Sequence, residues 1–301
     1  MGRIWDQRMP IYKYLNESRI QSLENATLRA TQASAVNDPF ELKPFFRTIF
    51  TAERLHRTLA LENLEGKLVD VVYAKLPTPL RNKLSENDVA ILLQRKEIRQ
   101  GLEETSQAFE AEASNLLPDW STRFRNVLFE TLECNVGIVS FTNDPLSTLM
   151  WAHYAGDHKG FVIEFDETHP FFDRRRTPED EFFHLRPVNY RLPACKYESL
   201  EDLDGVALLC TKQACWDYEQ ESRILIPLDN TGASSPDLVH LITFPRDCVR
   251  SVILGHRASA TLENDIRQVL SHAPEYTHVN LHRASIDLSN GSIVISAVQI
   301  R

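Results

Sequence analysis

The sequence has few of the residues that hold phosphates and structural metals. Its 301 residues include only ten glycines and five cysteines. Neither glycine-rich phosphate-binding pattern, G-x-x-x-x-G-K-[ST] or G-x-G-x-x-G, occurs, and the G-x-S-x-G turn of hydrolases is also absent. A nucleotide ligand would therefore be held without a glycine-rich loop. The cysteines form no C-x-x-C pair, which favours reduced thiols over disulfides or structural zinc.

Long apolar runs are also missing. No segment approaches the roughly 18 apolar residues that a membrane-spanning helix requires, so no membrane partner is expected. The first residues, MGRIWDQRMPIYKYL, lack the apolar core of a secretory signal, which favours a cytoplasmic location. The formal net charge of -9 disfavours non-specific binding to a nucleic-acid backbone. Hydrophobic residues at 43% and charged residues at 25% are typical of a globular protein.

Alternating and helical patterns divide the chain into strands and helices. Strands are predicted over 11–15, 136–142, 160–166, 188–192, 222–228, 238–245 and 248–255. A capped helix is predicted over 259–273, and Asn290-Gly291 lies between two alternating runs, which indicates a hairpin. The segment DLDGVALLCTKQACWDYEQ is predicted to be a helix or partial helix. These elements predict an α+β fold with a mixed or antiparallel sheet, in one domain over 1–301.

A helical insert interrupts the predicted sheet at about 44–133. Apolar residues recur there at spacings of three and four, and glycine is rare. Pro77 and Pro79 are expected to break the insert, and Pro118 is expected to break it again. Three or four helices are therefore predicted.

Two glutamates precede a predicted strand in the segment WDYEQESR. If the strand includes them, Glu219 and Glu221 share a face, with backbone positions about 7 Å apart. Two carboxylates this close raise one another's pKa, and burial beside Trp216 and Tyr218 would add to the effect. Such a pair suits acid–base chemistry or stabilisation of a developing cation. The alternative is a surface strand whose glutamates pair with Arg223 or with a cross-strand lysine.

A second cluster follows the strand that ends in Ser140 and Thr142. The next segment presents Trp151, His153 and Tyr154, with Trp151 and Tyr154 at helical spacing. These aromatic residues could form a platform for a flat ligand such as nicotinamide, or they could pack in the core. The chain has no metal-ligand spacing such as H-E-x-x-H or H-x-H, so no metal site is predicted.

Two shorter motifs complete the candidate set. On the first predicted strand, Tyr12 and Tyr14 flank Lys13 and share one face. In NDPFE at 37–41, Asn37 and Asp38 begin a rigid turn. The turn suits a ligand contact as well as a simple bend.

Taken together, these motifs resemble the prokaryotic domain-of-unknown-function 2971 family. The matching stretches are YKY (12–14), NDPFE (37–41), VSFT (139–142), LMWAHYAGDHKGFVIEFD (149–166) and KQACWDYEQESRI (212–224). The resemblance spans residues 12 to about 226, and the helical insert is expected to be a region that varies within the family. Ser222 takes the place of an aromatic residue of the family pattern, beside the glutamates.

The order of the motifs also looks like the ADP-ribosyltransferase superfamily, whose sheet is split. This likeness implies transfer of ADP-ribose from NAD, the substrate cofactor, to a macromolecular acceptor, either nucleic acid or protein. It implies that Glu221 is the catalytic carboxylate and that Glu219 orients or deprotonates the acceptor. For NAD binding the likeness implies Tyr12, Lys13 or Tyr14 on the first strand and Ser140 or Thr142 on the second. The turn and the aromatic segment add Asn37, Asp38, Trp151, His153 and Tyr154 as candidate NAD contacts.

Such an activity suits a toxin or phage-defence effector, with an antitoxin as a further partner. Two other functions stay open. One is a non-enzymatic module that binds a ligand or partner. The other is a metal-dependent nuclease that would use Glu164, Asp166, Glu219 and Glu221 together with Lys212.

Overall fold

The computed structural model describes residues 10–43, 45–46, 61–81, 83–191, 196–197, 202–228 and 239–298. The chain divides into two compact units. The first contains residues 1–43, 128–195 and 204–301, and the second contains 44–127 and 196–203. In the described parts, no helix is both long enough and apolar enough to cross a bilayer.

The first unit is built on an eight-stranded sheet in the order β14-β13-β12-β5-β1-β4-β10-β6. In chain order its strands are β1 (Ile11–Leu15), β4 (Val136–Thr142), β5 (Phe161–Phe165), β6 (Leu185–Pro187), β10 (Glu221–Pro227), β12 (Val249–Leu254), β13 (Asn280–Asp287) and β14 (Ser292–Ala297). Neighbouring strands are antiparallel except β12 and β13, which are parallel. The prediction of an α+β fold with a mixed sheet is confirmed.

Both faces of this sheet are buried. In β5, Phe161 and Ile163 enter the larger core cluster, whereas Val162 enters a second cluster on the opposite face. The larger cluster is covered by α1 (Ile20–Glu24) and by α8 (Ala260–His272), which contributes Leu262 and Ile266. Because both faces are covered, β5 is a nearly continuous apolar run rather than an alternating one. In β10 the first six residues are all buried, although the first three are polar.

Several short elements surround the sheet. The strands β2 (Thr27–Ala30) and β11 (His240–Thr243) form an antiparallel pair, and β7 (Asn189–Arg191) and β9 (Thr211–Gln213) form a parallel pair. The helix α6 (Thr148–Tyr154) lies between β4 and β5 in the chain. The segment predicted as a helix or partial helix contains α7 (Gly205–Leu209), then β9, then a 3₁₀ turn over Ala214–Glu219.

The second unit contains most of the predicted helical insert. Its described elements are β3 (Phe45–Phe46), which pairs with β8 (Lys196–Tyr197), and the helices α2 (Leu61–Lys75), α3 (Thr78–Arg81) and α4 (Glu86–Leu93). The helix α5 (Lys96–Asn135) begins in this unit and ends in the first. It runs across position 118, so the predicted break at Pro118 is wrong. A proline inside a helix costs about 3 kcal/mol, and the long flanking runs of helix-forming residues outweigh it.

Candidate functional site

The sheet separates between β1 and β4. The strand β1 pairs with β5 at all five of its residues, and β4 pairs with β10 at seven positions. In contrast, β1 and β4 share one register pair, Tyr12 with Thr142. The three strands that carry the YKY, VSFT and ESRI motifs are therefore neighbours, and a gap lies between the first two.

Side chains of β1 bridge this gap. The Lys13 ammonium donates to the backbone carbonyl of Ser140 at 2.5 Å, and the Tyr14 hydroxyl donates to the carbonyl of Asp144 at 2.9 Å. These bonds replace the backbone pairing that the gap lacks. Burial raises the pKa of Tyr14, and burial with the nearby Glu164 carboxylate raises that of Tyr12 to about 12, so both hydroxyls remain protonated at neutral pH.

A cavity of about 230 Å³ occupies the gap. Of the predicted site residues, it is lined by Tyr12, Lys13, Tyr14, Asn37, Ser140, Thr142, Tyr154, Glu219 and Glu221. The cavity is also lined by Glu41, Lys212 and Arg223. From the sequence, Lys212 is expected only in the nuclease hypothesis and Arg223 only as a surface partner of the glutamates, while Glu41 is not a predicted site residue. Tyr12 and Arg223, which are 211 positions apart in the chain, thus meet in one place.

Lys212 lies at the centre of a buried ionic network. Its ammonium is 2.6 Å from a carboxylate oxygen of Glu219 and 3.2 Å from one of Glu221, and it lies 3.6 Å from Glu41. Burial alone would lower the pKa of Lys212, but the three carboxylates outweigh this effect and raise it. The lysine is therefore a permanent cation.

Arg223 holds the carboxylate of Glu221 in a fixed position. Its Nε donates to one oxygen of Glu221 at 2.8 Å, and its Nη2 donates to the other at 2.9 Å. Its Nη1 donates to the Leu209 carbonyl, and Nη2 donates to Glu41 as well. Only 1% of the Arg223 surface is exposed, so nearly all of its charge is balanced by these protein groups rather than by water.

The network and its burial shift the pKa values of Glu221 and Glu41 in opposite directions. Burial would raise the pKa of Glu221, but the charge and hydrogen bonds of Arg223, together with Lys212, lower it to about 2. The opposite holds for Glu41, whose pKa is raised because burial outweighs the attraction of Arg223 and Lys212. Glu221 is consequently a permanent anion with a fixed direction.

The two glutamates meet for a different reason from the predicted one. Glu219 is the last residue of the 3₁₀ turn, and β10 begins only at Glu221, so strand alternation does not relate them. Gln220 between them has a left-handed backbone with φ of 42°. This kink turns both carboxylates toward Lys212. The Glu221 backbone N–H donates to the Tyr190 hydroxyl at 2.8 Å, which fixes the kink from the other side.

The NDPFE turn contributes to the site mainly through its first and last residues. The Asn37 amide donates to the Tyr154 hydroxyl, and Glu41 accepts from Arg223. Asp38 is buried, and one of its oxygens accepts from the Phe40 backbone N–H at 2.9 Å. Asp38 does not line the cavity but shapes the turn that places its neighbours there.

The three residues of the predicted aromatic platform, all on α6, lie in different places: one in the cavity, one in the core and one on the surface. Tyr154 lines the cavity, and its hydroxyl donates to Glu219. Trp151 has no exposed surface, packs edge-to-face against Tyr14 and donates its indole N–H to the Pro145 carbonyl at 2.8 Å. Trp151 therefore belongs to the core. His153 is exposed outside the cavity, with Nδ1 3.1 Å from the Tyr218 hydroxyl.

The four acids of the nuclease hypothesis do not come together: Glu219 and Glu221 line the cavity, whereas Glu164 and Asp166 lie outside it. The Ser251 hydroxyl donates to Glu164 on β5, while Asp166 accepts from Thr168 and pairs with Arg250. Glu164 and Glu221 are three strands apart in the sheet, roughly 14 Å at a strand spacing of about 4.8 Å. Within the described residues, no group of three His, Cys, Asp or Glu side chains is placed to hold a metal ion.

Fold and site define an α+β protein with a charged cavity in a split sheet. Residues 150–224 match the family model described as "Protein of unknown function (DUF2971)". This segment contains Tyr154, Lys212, Glu219, Glu221 and Arg223, so the match supports the family over the part of the chain that supplies every residue of the ionic network except Glu41. No curated protein and no solved structure matches the chain.

Proposed function

We propose that the protein transfers ADP-ribose from NAD to a macromolecular acceptor, and that the nicotinamide-ribose end of NAD binds in the gap between β1 and β4. The observation that carries this proposal is the convergence of Glu219 and Glu221 with Tyr12, Lys13 and Tyr14 on one cavity. A cavity of about 230 Å³ is smaller than the 300–1,000 Å³ of typical ligand sites. It suits one end of a dinucleotide, with the remainder of NAD lying outside.

The chemistry requires a fixed negative charge beside the ribose. Cleavage of the bond between nicotinamide and ribose develops positive charge on the sugar, as in glycoside hydrolysis. Glu221 meets the requirement because its pKa of about 2 keeps it ionised and three N–H donors fix its direction. A preorganised charge of this kind stabilises the transition state more than the ground state. The low pKa also makes Glu221 a poor base, so its proposed role is electrostatic.

Glu219 is the better candidate for handling the acceptor. It accepts from the Tyr154 hydroxyl and from Lys212, and it is not held by Arg223. It can therefore orient or deprotonate an acceptor hydroxyl or amide that enters the cavity. Tyr12 and Tyr14 would contact the nicotinamide, with Ser140 and Thr142 supplying hydroxyl groups on the other side of the gap.

The setting belongs to the same proposal. Unscheduled ADP-ribosylation harms a cell, so a toxin or phage-defence effector with an antitoxin partner would be a suitable context. The acceptor is a protein or a nucleic acid. For a nucleic acid the net charge of -9 would require a locally basic face.

The decisive experiment measures nicotinamide released from NAD, with and without protein and nucleic-acid acceptors. Glu219→Gln is expected to lower the rate about 10²-fold or more, because it removes the proposed base. Glu221→Gln is expected to abolish the reaction, with folding checked by circular dichroism because two buried cations lose a partner. Glu164→Gln is the matched control, since that carboxylate lies in the same sheet outside the cavity.

Three outcomes would contradict the proposal. No nicotinamide release by the wild-type protein with any acceptor would leave the non-enzymatic module. Cleavage of single-stranded RNA or DNA that stops on addition of a chelator would favour the nuclease. Equal rates for wild type and a folded Glu219→Gln or Glu221→Gln variant would remove the assigned roles.

A further inference from the structure

Lys13 and Lys212 line the same cavity but have opposite surroundings. Lys212 contacts three carboxylates. Lys13 donates to one neutral group, the Ser140 carbonyl, and its ammonium lies 5.8 Å from the centre of the Phe141 ring. Among the described residues, no carboxylate lies within ion-pair distance of the Lys13 ammonium. An amine in this position gains little from carrying a charge.

The surrounding charges are already paired with each other. Charged and titratable groups face Lys13 across the cavity from the NDPFE turn, α6, β9, the 3₁₀ turn and β10. These groups are Glu41, Tyr154, Lys212, Glu219, Glu221 and Arg223. Burial lowers the pKa of Lys13 to about 8, although Glu221 and Glu219 act in the opposite direction. At pH 7.5 roughly a quarter of Lys13 is then the free amine, against about one in a thousand for an ordinary lysine.

We propose that Lys13 is a covalent capture site for small, uncharged aldehydes or ketones that enter the gap between β1 and β4. The amine lone pair attacks the carbonyl carbon and forms a C–N bond, while the carbonyl oxygen takes up a proton and the amine loses one through solvent. Loss of water from this carbinolamine gives an imine. No oxidant or reductant is needed. An uncharged ligand fits beside Lys13 because the nearest contacts of its amine, the Ser140 carbonyl and the Phe141 ring, are themselves uncharged.

The test uses the wild-type chain, propanal and cyanoborohydride, which reduces the imine to a stable secondary amine. Rates are read by mass spectrometry of tryptic peptides at pH 7.5. We expect Lys13 to be labelled about 10-fold or more faster than the exposed Lys67, Lys83 and Lys159, with a rate that rises through pH 8. Lys212 is the internal control. It shares the cavity, but its ion pairs keep it protonated, so it should remain unlabelled.

Unfolding in concentrated urea should bring the Lys13 rate to the common lysine rate, which shows that the fold creates the reactivity. Labelling of Lys13 at or below the rate of the exposed lysines would overturn the proposal, and so would equal labelling of Lys13 and Lys212. The assay contains no NAD. Failure of the transferase proposal and failure of this one are therefore distinguished.

Discussion

The Lys212 ammonium lies 2.6 Å from a carboxylate oxygen of Glu219, and each side chain is only 4% exposed. If either group is removed, water cannot easily take its place beside the other, because both side chains are almost fully buried. The pair is joined to Glu221, Arg223 and Glu41 in one network, so a change at one member affects the charge balance of all.

Lys212→Met should destabilise the protein by about 3–5 kcal/mol, because it leaves three buried carboxylates with one fewer cation. The measurement is the free energy of unfolding from urea titrations. Lys159→Met is the matched control, since Lys159 is exposed and an exposed substitution changes stability by about 0.5 kcal/mol or less. A loss at Lys212 no larger than that at Lys159 would show that the network does not contribute to stability.

Acid should weaken the fold through Glu221. Its folded pKa of about 2 lies below its ordinary value of 4.5, so the stabilisation is fully present above pH 4.5 and is lost as the pH falls toward 2. The free energy of unfolding measured between pH 7 and pH 2 should show this loss. Glu221→Gln should be less stable at pH 7 and should lose less on acidification. Parallel curves for the two proteins would be inconsistent with the assigned ion pairs.

NAD consumption should depend on the charge of Lys13. With a pKa of about 8, the side chain is mostly cationic below pH 8 and mostly neutral above it. A cation in the cavity opposes positive charge on the ribose, so the rate of nicotinamide release should rise as the pH passes through 8. Lys13→Met should remove this rise while Lys159→Met keeps it. An identical pH profile for wild type and Lys13→Met would exclude Lys13 as the cause.

Gly160→Ala should destabilise the first unit strongly, by about 3 kcal/mol or more. A Cβ atom at this position would lie 2.1 Å from the Leu15 carbonyl oxygen, which is backbone and cannot rotate away. Thermal unfolding measures the effect. Gly101→Ala is the control, because a Cβ there meets nothing within 4 Å and alanine is favoured by about 1 kcal/mol in a helix. Similar melting temperatures for the two variants would contradict the close approach of Gly160 to β1.

Local patterns were sufficient for most of the sheet. The alternating run IYKYL, the apolar runs VGIVSFT and SRILIPL, and the Asn290-Gly291 hairpin all form the predicted elements, because each is determined by residues adjacent in the chain. The break predicted at Pro118 failed because a local penalty was outweighed by the helix-forming residues on both sides.

The ionic network could not be derived in the same way. Arg223 contacts Glu41 across 182 positions, and no local periodicity connects a turn near residue 40 with a strand near residue 223. The spacing of Glu219 and Glu221 indicates that they form a pair. Their convergence, however, depends on the left-handed backbone of Gln220 and on Lys212 of β9. Partners of this kind become visible only when strand order is known.

The line between β1 and β4, where Tyr12 and Thr142 form a single register pair, is the weakest backbone connection in the sheet. Five strands lie on one side of this line and three on the other, and each group keeps its own backbone ladder when the gap widens. A ligand that wedges the two groups apart would break one backbone pairing and the hydrogen bonds of Lys13 and Tyr14. It would also separate the rings of Phe141 and Phe165, whose centroids lie 5.7 Å apart on opposite sides of this line. The width of the gap is therefore tied to the packing of the interior, because residues from both strand groups belong to one core cluster.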